Sequence, residues 1–170
     1  DGAVLKTKFN GEARARHQFV LDSSELELTF DDVAQKPIPS VLGGFSAPVT
    51  LDDGLSVADR LAQMAHDPDP FTRWEAGQSI ARAMMLGQAG DAPSSALVSA
   101  LSRELDRAQE DPAFAALALR LPDLNELILA SASPDPDKLH TSREALRKEI
   151  ATALKDRLVA LARAKSETPF

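Results

Sequence analysis

Few residues in this chain could do chemistry. Its 170 residues include three histidines and neither a cysteine nor a tyrosine. His17, His66 and His140 are the only possible imidazole ligands or bases. His140 and Glu144 stand four apart, the spacing that puts two ligands on one helical face. A zinc site needs at least one ligand more, and no H-E-x-x-H sequence is present, so the pair reads as an exposed pair near a helix start. His66 precedes Asp67-Pro68-Asp69-Pro70, and a His–Asp pair could act as the general base of an independent hydrolase. The competing reading makes His66 the end of one helix and the aspartates the caps of the next. Absence of cysteine excludes a disulfide scaffold, Cys-ligated zinc, an iron–sulfur cluster and thiol catalysis.

Other candidate groupings carry structural readings beside the chemical ones. Arg73-Trp74-Glu75 could form a ligand platform, but Phe71 and Trp74 at i, i+3 also suit an anchor between helices. Gly43-Gly44-Phe45-Ser46 lacks the spacing and downstream lysine of a phosphate loop. Asp31-Asp32 and Asp52-Asp53-Gly54 are too short for a calcium loop and fit turns. Arg143, Arg147, Lys148, Lys155, Arg157 and Arg163 alternate with Glu144, Glu149 and Asp156, a solvated helical face. Glu144 and Lys148 make a favourable i, i+4 pair worth about 0.3 kcal/mol. A net charge of −7 argues against a nucleic-acid partner, which needs a concentrated positive field. No catalytic, cofactor-binding or metal site is assigned to this chain.

The elements that must position these residues change in texture near residue 50. Before it come short alternating runs. Val4 to Phe9 ends at Asn10-Gly11, a tight hairpin reversal. Arg14 to Leu21 and Leu26 to Phe30 read as further strands, and Ser40 to Leu51, with Gly43-Gly44 and Pro48, as an edge or bulged one. Such a piece is part of a sandwich, with an apolar face left open. Residues 56–165 read as six helices. Ser56 with Asp59 forms a capping-box start, and Asp69-Pro70, Asp111-Pro112 and Asp135-Pro136 each pair a cap with proline at the first helical position. Asp91-Ala92-Pro93 opens another helix, carrying Leu97, Val98, Leu101 and Leu105. A short helix with Phe114, Leu117 and Leu121 follows, then one with Leu124, Leu127 and Ile128. The longest carries Leu139, Leu146, Ile150, Leu154, Leu158 and Leu161, and residues 166–170 read as a frayed end. No strict repeat period is visible.

Two stretches then become recognisable. Lys36-Pro37-Ile38-Pro39-Ser40-Val41-Leu42-Gly43-Gly44-Phe45-Ser46-Ala47-Pro48-Val49 resembles P-x-P-S-L-x-x-x-F-S-A-P-V of bacterial aminopeptidase N. Met64-Ala65-His66-Asp67-Pro68-Asp69-Pro70-Phe71-Thr72-Arg73-Trp74-Glu75-Ala76-Gly77-Gln78 is similar to that family's M-x-H-D-x-D-x-F-x-R-W-E-A-x-Q. Asp111-Pro112-Ala113 with Leu119 to Pro122, and Asp135-Pro136 with Arg143 to Leu146, keep the order and spacing of further family segments. Residues 1–35 fit by position and strand texture alone. Gly43 stands where the family often has a basic residue, and Leu161-Ala162-Arg163 where it often has a tyrosine.

The resemblance implies a zinc exopeptidase that removes N-terminal amino acids from peptides. It places this chain downstream of the catalytic domain: 1–51 as the end of a β-sandwich domain, 52–170 as the start of a helical C-terminal domain. The family's zinc motif, its G-A-M-E-N motif and its catalytic tyrosine have no counterpart in these residues. The expectation is therefore an α+β chain by segments, a partial antiparallel β-sandwich followed by a solenoid-like, all-α antiparallel array. It would be catalytically silent alone, brace the catalytic domain and shape the substrate chamber. Zinc would belong to the parent enzyme. The expected partners are the remainder of the polypeptide and, for the whole enzyme, a peptide, with no nucleic acid and no membrane, in a cytoplasmic setting. The rival reading is a free-standing helical interaction scaffold with a small β-cap.

Overall fold

Asn10 and Gly11 lie at φ 51° and 81°, the two left-handed residues that a tight two-residue reversal requires. They join β1 (Thr7–Phe9) to β2 (Glu12–Arg14) as an antiparallel hairpin, with Thr7 opposite Arg14 and Phe9 opposite Glu12. The computed structural model describes residues 2–49 and 51–166. Thr50 and, of the expected frayed end, Glu167 to Phe170 lie outside the described residues; Ser166 still belongs to a helix. Two units are distinguished, Asp1–Pro39 and Ser40–Phe170.

In the first unit an aromatic cluster does the packing. Phe9 lies 4.9 Å from Phe19 and 5.8 Å from Phe30, and His17 lies 5.2 Å from Phe30, measured between ring centroids. His17 Nε2 donates to the Thr7 carbonyl at 3.0 Å, which ties the segment after β2 back to β1. The expected strands at 14–21 and 26–30 do not form ladders. Leu28 and Phe30 are half-buried while Glu27 and Thr29 are exposed, so the period-two alternation survives in burial. Beyond the hairpin, strand pairing among the described residues is one bridge, where Lys8 and Asp31 exchange hydrogen bonds of 3.2 and 2.9 Å. Alternation fixes which side chains face the rings; a ladder also needs a neighbouring strand in register.

The second unit opens with an irregular segment and continues as six helices among the described residues: α1 (Val57–His66), α2 (Pro70–Met85), α3 (Ser94–Asp106), α4 (Pro112–Ala118), α5 (Leu124–Ala130) and α6 (Pro136–Ser166). Ser40 to Val49 is not a strand. Leu42, Gly44 and Phe45 all take positive φ, which turns the chain back on itself. The expected caps form: Ser56 and Asp59 make the full capping box, Asp69 accepts from Phe71 N–H, Asp111 from Phe114 N–H and Asp135 from Lys138 N–H. Asp123 with Glu126 makes a second capping box at α5, legible as D-x-x-E.

Asp91-Ala92-Pro93 leads into α3 as expected, but Pro93 occupies the N-cap and supplies no side-chain bond. An alanine displaces the Asp-Pro pair by one residue, and the Ser94 hydroxyl instead donates to Glu149 of α6. On α4 the buried residues are Ala115 and Ala118, whereas Leu117 is exposed and Leu121 lies beyond the helix. The small side chains let α4 approach α2 and α3 closely.

Ile80 and Leu127 are completely buried, and Met64, Ala76 and Leu97 are 1% exposed. Around them pack Leu101 and Leu105 of α3 and the Leu139, Leu146, Ile150, Leu154 stripe of α6. Each such side chain contributes about 1.5–3 kcal/mol by leaving water. That core fixes α2 at the centre of the unit, in contact with α1, α3, α4 and α6.

Candidate functional site

The candidate carboxylates are engaged by neighbours. His66 is the last residue of α1 and is exposed. Asp67 is buried, and its Oδ1 accepts the N–H of Asp69 at 2.8 Å. Asp69 in turn caps α2 through Phe71 N–H at 3.0 Å and accepts the N–H of Gly44 with its other oxygen. Asp67 thus serves a backbone donor through Oδ1, and Asp69 serves one through each of its oxygens. Glu144 accepts from Arg147 Nη2 at 2.6 Å and from Nε at 2.9 Å. Both bonds fall on Oε2, and that hydrogen bonding holds the Glu144 carboxyl below its ordinary value. Asp32 is paired with Lys8 at 2.6 Å and Asp53 with Arg60 at 2.8 Å, so the acidic turns are structural too.

The buried polar cluster of the second unit lies elsewhere. Arg73 Nε donates to Glu104 Oε1 at 2.9 Å, and Arg107 Nη1 reaches the same oxygen at 2.5 Å. Arg73 Nη1 also donates to the carbonyls of Asp67 and Pro68 at 3.0 and 3.3 Å. Its guanidinium carbon sits 5.3 Å from the centroid of the Phe114 ring, a cation–π arrangement. Thus one arginine closes the α1–α2 turn, faces α4 and pairs with α3. Glu104 and Arg107 escaped the sequence reading. The available signal was an acidic residue on the Leu97, Leu101, Leu105 stripe, where a charge must be buried and therefore paired.

Beside this cluster runs an aromatic row. The tilted rings of Phe45 and Phe71 lie 5.0 Å apart, and those of Phe71 and Trp74 5.9 Å apart. With the Gly44–Asp69 bond, this row brings together in space the two sequence stretches that carry the family resemblance. Trp74 and Phe71 therefore anchor one segment to another, the structural alternative of the ligand-platform reading. Next to Trp74, burial pushes the Glu75 carboxyl above its ordinary value, against the pull of Arg82 and Arg60.

These groups hold backbone and bridge helices. Zinc does not fit this donor set: no group of three or more His, Cys, Asp or Glu among the described residues is placed to hold a metal ion. No described helix is long and apolar enough to cross a membrane.

Against known proteins, residues 57–170 match the domain of unknown function DUF3458_C, described as ARM repeats, and residues 3–54 match DUF3458, described as an Ig-like fold. Aminopeptidase N of Caulobacter vibrioides is 39% identical over 143 residues, covering 82% of this chain. Aminopeptidase N of Escherichia coli K12 is 34% identical over 161 residues, covering 89%. The chain belongs to the aminopeptidase N family. It spans 17% and 18% of those two aminopeptidase N relatives. Among solved structures, Legionella pneumophila aminopeptidase A in complex with aspartic acid superposes with a TM-score of 0.76 at 26% identity, over 89% of this chain and 18% of that one. The short hairpin followed by six helices among the described residues agrees with an Ig-like piece joined to ARM repeats.

Proposed function

We propose that this chain is a non-catalytic segment of a zinc-dependent aminopeptidase N that removes N-terminal amino acids from peptides. It would brace the catalytic domain of the same polypeptide and wall the chamber through which peptide ends reach it. The observation that carries this reading is 39% identity to an aminopeptidase N across 82% of the chain, against 17% of that relative's length. The arrangement of this segment's own side chains agrees with a bracing role. Hydrogen bonds of Arg73, Glu104, Asp67 and Asp69 tie α2 to α3 and to the α1–α2 turn. In this proposal residues 1–51 end a sandwich domain, residues 52–170 begin the helical domain, and the enzyme works in the cytoplasm without nucleic-acid or membrane partners.

Zinc would supply a Lewis acid and an activated water from another part of the enzyme. This chain's contribution is steric: rigid helices that admit a peptide end and turn folded protein away. The test is the reading frame upstream of Asp1, together with the metal content of its purified product. An H-E-x-x-H sequence and one zinc per polypeptide are expected. A frame without that motif and a metal-free product would overturn the proposal.

A further inference from the structure

Leu42 and Phe45 lie at φ 56° and 53°, with Gly44 between them at 68°. A side chain at positive φ crowds its own backbone, and leucine and phenylalanine are rarely found there. Local preference therefore does not hold this turn in shape. Three contacts do. Ser46 N–H donates to the Leu42 carbonyl at 3.3 Å, Gly44 N–H donates to the Asp69 carboxylate, and the Phe45 ring lies 5.0 Å from Phe71. The last two both end on the cap and first turn of α2.

We propose that residues 42–46 form a strained strap, held on the start of α2 by Asp69 and Phe71, that opens as a unit while the helices stay folded. Opening lifts Phe45 from Phe71 and uncovers the Phe71–Trp74 ridge. The strap is cheap to open for two reasons. Backbone strain is released when Leu42 and Phe45 leave positive φ. Little apolar burial is lost, because Phe45 is already 56% exposed, whereas Ile80 and Leu97 of the helices are 0% and 1% exposed. Low local burial with a distinct set of contacts is the pattern of a segment that opens below the global unfolding free energy.

The test is amide exchange of the 170-residue chain, with α2 and α3 as internal reference. Strap amides, that of Gly44 included, exchange at least about tenfold faster than the core amides of α2. Leu42→Gly and Leu42→Asn both tolerate positive φ, so each slows Gly44 exchange about fivefold and leaves α2 unchanged. Phe45→Ala keeps the strain, removes the ring contact and speeds exchange. Trp74 is the single tryptophan, so acrylamide quenching of its fluorescence falls in step with the Leu42 variants. Leu42 variants that exchange as fast as wild type or faster, or strap amides that open only together with α2, would overturn the proposal.

Discussion

Arg73 and Glu104 form a buried ion pair across α2 and α3, with side chains 10% and 2% exposed. One oxygen of Glu104 takes both guanidinium donors, Arg73 and Arg107, while its Oε2 is buried without a hydrogen-bond partner. Arg73→Ala leaves that carboxylate with only the half-exposed Arg107 and frees two carbonyls of the α1–α2 turn. The expected loss is about 3–5 kcal/mol, read from urea unfolding. Replacing both partners by apolar residues, Arg73→Met with Glu104→Leu, recovers most of it, because no unpaired charge stays inside. A double variant no better than Arg73→Ala would show that the bridge itself, and not charge pairing, supplies the stability.

Gly77 of α2 faces Met64 of α1. A Cβ there would stand 3.3 Å from Met64 Cε and 3.4 Å from Sδ. Gly77→Ala gains about 1 kcal/mol of helix propensity and spends a similar amount on displacing the Met64 tip, so its thermal midpoint stays near wild type. Gly77→Val forces the same side chain aside and costs about 2–3 kcal/mol. Met64→Ala beside Gly77→Val restores part of the loss, since the methionine is what the larger residue strikes; no recovery would place the clash elsewhere.

The caps differ in a way that a paired measurement exposes. Asp111 accepts the N–H of Phe114 at 2.8 Å, and Asp111→Ala costs about 1 kcal/mol. Asp91 makes no such bond to α3, so Asp91→Ala stays within about 0.5 kcal/mol of wild type. Equal losses in thermal unfolding would mean that Asp91 caps after all.

Glu75 sets a pH dependence of unusual sign. Its folded pKa is raised, first by burial, so the folded state holds a proton that the unfolded state has released. The stabilisation is fully present below the unfolded value, 4.5, and is lost as pH rises through the raised folded value. Glu75→Gln is therefore more stable than wild type at pH 7, and its advantage disappears toward pH 4. Thermal midpoints of both proteins across that range check it; parallel curves would remove burial as the cause.

Much of the fold was legible because it rests on local signals. Ser56 with Asp59, and Asp before Pro70, Pro112 and Pro136, declare helix starts without tertiary context. Asn10-Gly11 does the same for the hairpin. What stayed hidden needed partners distant in sequence. Strand texture at 26–30 could not say that only Lys8 and Asp31 would pair, because a ladder is made with a neighbour. The Gly43-Gly44 turn gave no hint that Asp69 would receive the Gly44 N–H. Glu104 looked like any helical acid until Arg73, 31 residues earlier, was brought against it. Of the aspartates after His66, Asp69 caps the next helix as expected, since capping needs only the adjacent backbone, whereas Asp67 ends α1 and accepts the N–H of Asp69.

The central claim is that this chain serves an aminopeptidase without carrying its chemistry. Hydrolysis of an aminoacyl anilide, measured with added zinc for the 170-residue chain and for the full-length polypeptide that contains it, tests that claim most directly. The account predicts zinc-dependent turnover by the full polypeptide and a rate for the chain indistinguishable from buffer. Turnover by the chain comparable to that of the full polypeptide, or none by either, would contradict it.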